Sequence, residues 1–183
     1  MKRPELNRLL NKLNSKLSQK GEKRKLILCG GAALILLNLE KVETVDVDLV
    51  DPSRDVLLQN LAKEIATDEK SIREDWLNSN ASSFFKKHNP LPKNWEKRLD
   101  TVYESSHLTV KALSREDLLF TKICSHIDRE MDEQDIKVLT HDEAMFNRAI
   151  EKVTKLKKYQ NSIAKIIIAE LRTRLGFDDE KKS

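Results

Sequence analysis

Residues 26–50 read Leu-Ile-Leu-Cys-Gly-Gly-Ala-Ala-Leu-Ile-Leu-Leu-Asn-Leu-Glu-Lys-Val-Glu-Thr-Val-Asp-Val-Asp-Leu-Val. The pattern predicts a buried strand over 25–29, a turn at Gly30-Gly31, a short apolar helix over 32–39 and a return strand over 44–50. Asp46 and Asp48 are two residues apart, so in a strand both carboxylates leave one face. Val45, Val47 and Leu49 then face the core. Two acids held side by side repel each other unless a cation lies between them.

The turn and the acids suit one chemistry. Moving a nucleotidyl group requires a triphosphate held by close backbone N–H groups, with cations to neutralise the developing charge. Gly30 and Gly31 place no Cβ between a phosphate and the backbone, and the helix that follows offers its N-terminus. Asp46 and Asp48 supply ligands for the cation. Fourteen residues lie between Gly31 and Asp46, the length of one short helix and a return strand, which brings the acids back beside the turn. A Gly-Gly pair alone is ordinarily only a turn, and Asp-x-Asp near a strand end is often a solvated edge. Order and spacing together carry the reading.

Outward from this core, Leu6, Leu9, Leu10, Leu13 and Leu17 mark an amphipathic helix over 4–20, opened by Pro4 and stopped by Gly21. It is expected to pack on the sheet edge rather than form a dimer seam. Ser53 is expected to cap a helix carrying Val56, Leu57, Leu61 and Ile65. Residues 67–97 are irregular, hold both Trp76 and Trp95, and are broken by Pro90 and Pro92. That many large apolar side chains point to an ordered, packed excursion beside the turn, the alternative being a satellite hydrophobic cluster. Residues 98–103 and 107–113 read as a hairpin. Ser114-Arg115-Glu116-Asp117 is a capping-box pattern. The helix behind it is expected to bury Leu119, Ile123, Ile127 and Met131 and to carry Lys122, Ser125 and Arg129 on its other face. Ile136, Val138 and Leu139 mark a short helix. Phe146, Ile150, Val153 and Leu156 mark another, and Ile163, Ile166, Ile167, Leu171 and Leu175 a last one that stops at Gly176. The order predicts an α+β protein, a mixed β-sheet flanked by helices with a C-terminal helical portion. Its expected divisions are an N-terminal helix over 1–22, a sheet core over 23–113, the helical portion over 114–176 and a charged tail over 177–183.

The chain has 183 residues, 39% apolar and 35% charged, with net charge +4. Such a composition is globular, and the mild positive balance is compatible with nucleic acid without specifying it. Cys29 and Cys124 have no partners at framework or ligand spacing, so a reducing, cytoplasmic setting is expected. The longest apolar run, 32–37, is too short to cross a bilayer, and no signal-peptide pattern is present. His88, His107, His126 and His141 lack zinc-ligand spacing. His126 is expected at the surface or behind a site, and Cys29 in the core rather than as a nucleophile. No Ser-His-Asp or P-loop pattern occurs. The lysine-rich segments 16–25 and 152–158 keep an RNA-binding reading open.

Further segments narrow the chemistry: Asp75-Trp76-Leu77-Asn78, Asn94-Trp95-Glu96-Lys97-Arg98-Leu99, the run from Leu113 to Lys122, Asp128-Arg129 and Asp132-x-x-Asp135. With the glycine pair and Thr44-x-Asp46-x-Asp48, they resemble the polymerase-beta-like nucleotidyltransferase superfamily. Within it they look like the small uncharacterised bacterial nucleotidyltransferase-like proteins of unknown function, relatives of AbiEii-type toxins and of minimal nucleotidyltransferase antitoxins. The resemblance covers residues 26–140. It implies the nucleotidyltransferase fold and an enzyme that uses Mg²⁺ or Mn²⁺ and an NTP, with an RNA (tRNA included) or protein acceptor and a cognate toxin or antitoxin partner. Gly30 and Gly31 match the phosphate-binding turn, and Asp46 and Asp48 the metal pair. Lys122 matches a lysine near the triphosphate, and Asp132 and Asp135 the acidic pair that follows, with Arg129 beside them. Asn78 is a candidate nucleotide contact and Asp100 a candidate third carboxylate. The family's arginine four residues before the first aspartate is here Val42, with Lys41 beside it, and the glycine-to-aspartate spacing is slightly long. These departures keep a second reading in view, a catalytically inactive module of the same fold that binds a partner in antitoxin fashion or binds RNA.

Overall fold

The apolar run ending at Cys29 forms β1 (Arg24–Cys29), the central strand of a five-stranded sheet. The computed structural model describes residues 1–39, 43–87 and 90–177. The other strands are β2 (Val47–Asp51), β3 (Leu77–Asn78), β4 (Asp100–Glu104) and β5 (Leu108–Ala112), in the order β3-β2-β1-β5-β4. β1 runs antiparallel to β2 and parallel to β5, β2 is parallel to β3, and β4 and β5 form the expected antiparallel hairpin. The sheet is mixed and the protein α+β.

The chain divides into two compact units, Met1–Ser114 and Arg115–Ser183. In the first, Leu26, Leu28, Leu49, Leu108, Val110 and Ala112 lie on one sheet face and are at most 3% exposed. Helices α1 (Arg3–Gln19), α2 (Gly30–Leu36) and α3 (Val56–Asp68) cover them. The five leucines of α1 are all buried, as its stripe predicts, but the helix lies over the sheet face at β5 rather than on the sheet edge. Asp55, not Ser53, caps α3: its carboxylate accepts from Leu58 N at 3.0 Å and also pairs with Arg24 at 2.7 Å. The other face carries Ile27, Cys29, Asp48 and Val50, and α4 (Asn80–Lys87) packs against β2 there.

The two tryptophans of residues 67–97 have different surroundings. Trp76 is wholly buried, and its indole N–H donates to Ala62 O at 3.0 Å. Trp95 is half-buried and opens a 3₁₀ turn, Trp95–Arg98.

The second unit consists of α5 (Arg115–Arg129), α6 (Glu133–Leu139), α7 (Glu143–Thr154), a 3₁₀ turn at Lys157–Tyr159 and α8 (Ser162–Arg174). α5 is its core and is buried on more than one side, at Leu118, Leu119, Phe120, Ile123 and Cys124. Met131 is 59% exposed because the chain leaves α5 at Arg129, before the periodicity reaches it. α8 buries Ala164 and Leu171, seven residues apart on one narrow stripe, and leaves Ile163 and Ile166 exposed. Phe177 packs near Phe146, ring centres 5.7 Å apart. The rest of the expected tail, with Lys41, Val42 and His88, lies outside the described residues. Among those described, no helix is long and apolar enough to cross a membrane.

Two outcomes follow from this packing. Trp76→Ala should lower the unfolding free energy in urea by about 3–5 kcal/mol, the usual cost of truncating a fully buried large aromatic. Burial pushes the Cys124 thiol up to about 12, and Cys29 is only 4% exposed. Both thiols should therefore ignore a thiol reagent at neutral pH and react once the chain is unfolded.

Candidate functional site

Cys29 and Asp48 are register partners across β1 and β2. The chain leaves β1 at Cys29 and enters α2 through Gly30, whose φ is +66°. A Cβ built on Gly30 would stand 2.8 Å from Asp48 Oδ2. The position favours glycine for its left-handed backbone, and a side chain there would also displace the Asp48 carboxylate. This brings the glycine turn and one acid of the pair together, as the sequence predicts.

Asp46 lies one residue before β2 rather than within it, and Val45, expected in the core, is 66% exposed. Strand alternation therefore does not place Asp46. Asn78 does: its Nδ2 donates to Asp46 Oδ2 at 3.3 Å, while its Oδ1 accepts from Asn80 N at 3.0 Å at the start of α4. Asn78 is the register partner of Asp48 on β3. Trp76 secures this edge, because its carbonyl accepts from Val47 N at 2.6 Å while its indole is tied to α3. Arg73, which carries no motif, adds a cation nearby. Its double hydrogen bond to Asp75, 2.8 and 2.7 Å, raises its pKa most, and the Asp46 charge adds to the rise. Asn78 also lines a cleft of about 550 Å³ with Arg54, Lys63, Glu74 and Asp75.

Asp100 does not join the pair. It opens the edge strand β4, paired with Ala112, which pairs with Leu28. That places it on the face opposite Asp48 and three inter-strand spacings away, about 14 Å. Among the described residues no group of three or more His, Cys, Asp or Glu gathers to hold a metal.

Lys122, Asp132, Asp135 and Arg129 lie in the second unit. Lys122 Nζ is 2.7 Å from both Asp132 Oδ1 and Asp135 Oδ2. Ser125 Oγ donates to Asp132 Oδ2 at 2.7 Å, and Arg129 donates to Ser125 Oγ. The cluster sets two cations against two carboxylates and closes α6 onto α5. His126, expected at the surface or behind a site, is 6% exposed and its ring Nδ1–H donates to Met131 O at 2.6 Å. Burial alone would raise the Asp132 carboxyl, but the Lys122 hydrogen bond and charge outweigh it and hold the group below its ordinary 3.8. Burial would likewise lower the Lys122 ammonium, yet Asp132 and then Asp135 hold it above its ordinary 10.5.

The turn predicts a coupling. Gly30→Ala should cost more than the ~1–2 kcal/mol of a left-handed non-glycine residue. Adding Asp48→Ala should recover the excess, read as a non-zero interaction term in a urea double-mutant cycle. The cluster predicts a pH dependence. A carboxyl with a lowered pKa stabilises the fold above 3.8 and loses that contribution as pH falls through its folded value. An amine with a raised pKa stabilises below 10.5 and loses it as pH rises through its own. Lys122→Met should cost roughly 3–5 kcal/mol at pH 7, since it removes the ammonium that the two carboxylates share. The gap to the unaltered protein should narrow as pH falls below 3.8 in urea titrations.

No curated protein and no solved structure matches the chain. One family model does, from residue 4 to residue 173, reaching through α1 and α8 where the sequence motifs alone stop at 26 and 140. The chain belongs to the family described as nucleotidyltransferase of unknown function (DUF6036).

Proposed function

We propose that the chain is a metal-dependent nucleotidyltransferase that moves a nucleotidyl group from an NTP to an RNA or protein acceptor. The observation that carries this is the cradle at Gly30, where the Asp48 carboxylate occupies the space a Cβ would take. Such a turn lets phosphate oxygens approach the backbone with a carboxylate already beside them.

The donor set suits Mg²⁺ or Mn²⁺. Such ions are held through one or two carboxylates together with substrate phosphates, rather than in a cage made wholly of protein. Asp46 and Asp48 would be those ligands. When bound, the ion would neutralise charge on the triphosphate and help align the reacting groups. Gly30 and Gly31 admit the phosphates, and Asn78 holds the Asp46 carboxylate in orientation through its hydrogen bond. In the transfer, an acceptor hydroxyl oxygen bonds to the α-phosphorus, the bond to the bridging oxygen breaks, and pyrophosphate leaves. Lys122 does not enter this account, because its ammonium is paired with Asp132 and Asp135. A cognate toxin or antitoxin partner rests on the resemblance alone.

One observation favours the inactive module instead. Asp100 lies on the opposite sheet face from Asp48, so the candidate third carboxylate is not beside it. One experiment separates the readings: incubation with each labelled NTP, Mg²⁺ or Mn²⁺, and tRNA or a lysate acceptor. The enzyme reading expects transfer that falls at least ~100-fold in Asp46→Ala/Asp48→Ala and about 10-fold in Asn78→Ala. The absence of both transfer and metal-dependent NTP binding would overturn the enzyme reading and leave the module that binds a protein partner or RNA.

A further inference from the structure

Asp46, Asp48 and a triphosphate are all negative, and one divalent ion does not balance them, so the transfer needs cations from the protein. Lys122 is taken by Asp132 and Asp135. Arg73 is placed to serve. Its carbonyl accepts from Trp76 N at 3.1 Å, closing a turn, and the Trp76 carbonyl accepts from Val47 N at 2.6 Å. Val47 follows Asp46 directly, so two successive backbone links tie the turn that carries Arg73 to the acid pair. The Asp75 hydrogen bonds raise the Arg73 pKa most, and the Asp46 charge raises it further, which puts the guanidinium within electrostatic reach of that carboxylate.

Only one edge of the guanidinium is used. Nε donates to Asp75 Oδ1 at 2.8 Å and Nη2 to Asp75 Oδ2 at 2.7 Å, a side-on fork. A guanidinium has five N–H groups, so three remain, two on Nη1 and one on Nη2. Nη1 has no hydrogen-bond or ion-pair partner among the described residues, and the side chain is 61% exposed. Nη1 and Nη2 together present a second edge of the shape that binds two phosphate oxygens. The fork to Asp75 fixes the plane of that edge before a ligand arrives.

We propose that Arg73 is a substrate-binding residue of the transfer, its open N–H edge donating to oxygens of the two phosphates that leave as pyrophosphate. This rests on the reading of Asp46 and Asp48 as the metal pair. When the bond between the α-phosphorus and the bridging oxygen breaks, its electron pair stays on that oxygen, so charge grows on the departing pyrophosphate. A preorganised donor there acts where the charge develops.

The test is calorimetric titration of the full chain with ATP, GTP, CTP and UTP, each with Mg²⁺, and with pyrophosphate and Mg²⁺. Arg73→Ala should weaken the NTP that binds and pyrophosphate alike, each about 10-fold or more, the usual effect of losing charge-assisted hydrogen bonds. Arg73→Lys keeps the charge without the fork and should fall between Arg73→Ala and the unaltered protein. Both variants should keep the melting temperature, because an exposed ion pair contributes little to the fold. A merely structural arginine would lower affinity and melting temperature together. The inference is overturned if Arg73→Ala binds the NTP with unchanged affinity, if pyrophosphate binds the two proteins equally, or if affinity and melting temperature fall together. Failure of every NTP to bind the unaltered protein would instead overturn the enzyme reading of Asp46 and Asp48, and this inference with it.

Discussion

The Asp48 carboxylate occupies the space a Cβ on Gly30 would take, and much of the first unit is arranged to keep it there. The contact needs β1 to end at Cys29, directly across from Asp48. It needs the chain to turn at Gly30 with positive φ and to bury the apolar helix α2 at once, so that the turn cannot relax outward. Residues 32–36 of α2 are all buried. The turn is therefore set by core packing on one side and by strand pairing on the other. A charged group held beside a turn by such a frame is preorganised, and preorganisation lets a polar site act without reordering itself around its ligand.

Asp46 is held differently. No ladder hydrogen bond fixes its side chain, and it depends on Asn78, which depends on β3, which depends on the Trp76 indole docked under α3. The two acids thus answer to separate parts of the fold, one to the central strand pair and one to the edge. In the second unit the buried Lys122–Asp132–Asp135 cluster is satisfied within its own helices. Breaking such a cluster is expensive because it strands charge, which suits it to fixing how α6 meets α5.

What could be read from the sequence follows the range of the forces involved. β1, α2, the β4–β5 hairpin, α1 and α5 carry their own periodicity and punctuation, and the glycine turn and Asp48 came with them. β3 is two residues long and has no period to detect. α4, Asn-Ala-Ser-Ser-Phe-Phe-Lys-Lys, has an N-terminal composition that favours turns, and it is helical where Asn78 meets its first amide and Phe85 reaches the sheet. Placing Asp46 inside the strand assumed that pairing extended to Thr44, whereas the Thr44 hydroxyl turns in to bond Asp46 O at 3.2 Å. The cap at Asp55 rather than Ser53 reflects an ion pair with Arg24, thirty-one positions away. Of the partners of Lys122, Asp135 lies in α6 while Asp132 is supplied by a loop with positive φ at Glu130 and Asp132, which no local pattern announces. Asp100 looked available because sequence gives a strand but not its neighbours.

Manganese binding followed by electron paramagnetic resonance, with and without ATP, reads the acid pair directly. The account predicts that ATP strengthens Mn²⁺ binding in the unaltered protein and that Asp46→Asn/Asp48→Asn abolishes the ATP-dependent signal while the chain stays folded. An undiminished ATP-dependent Mn²⁺ signal in that folded variant would contradict it.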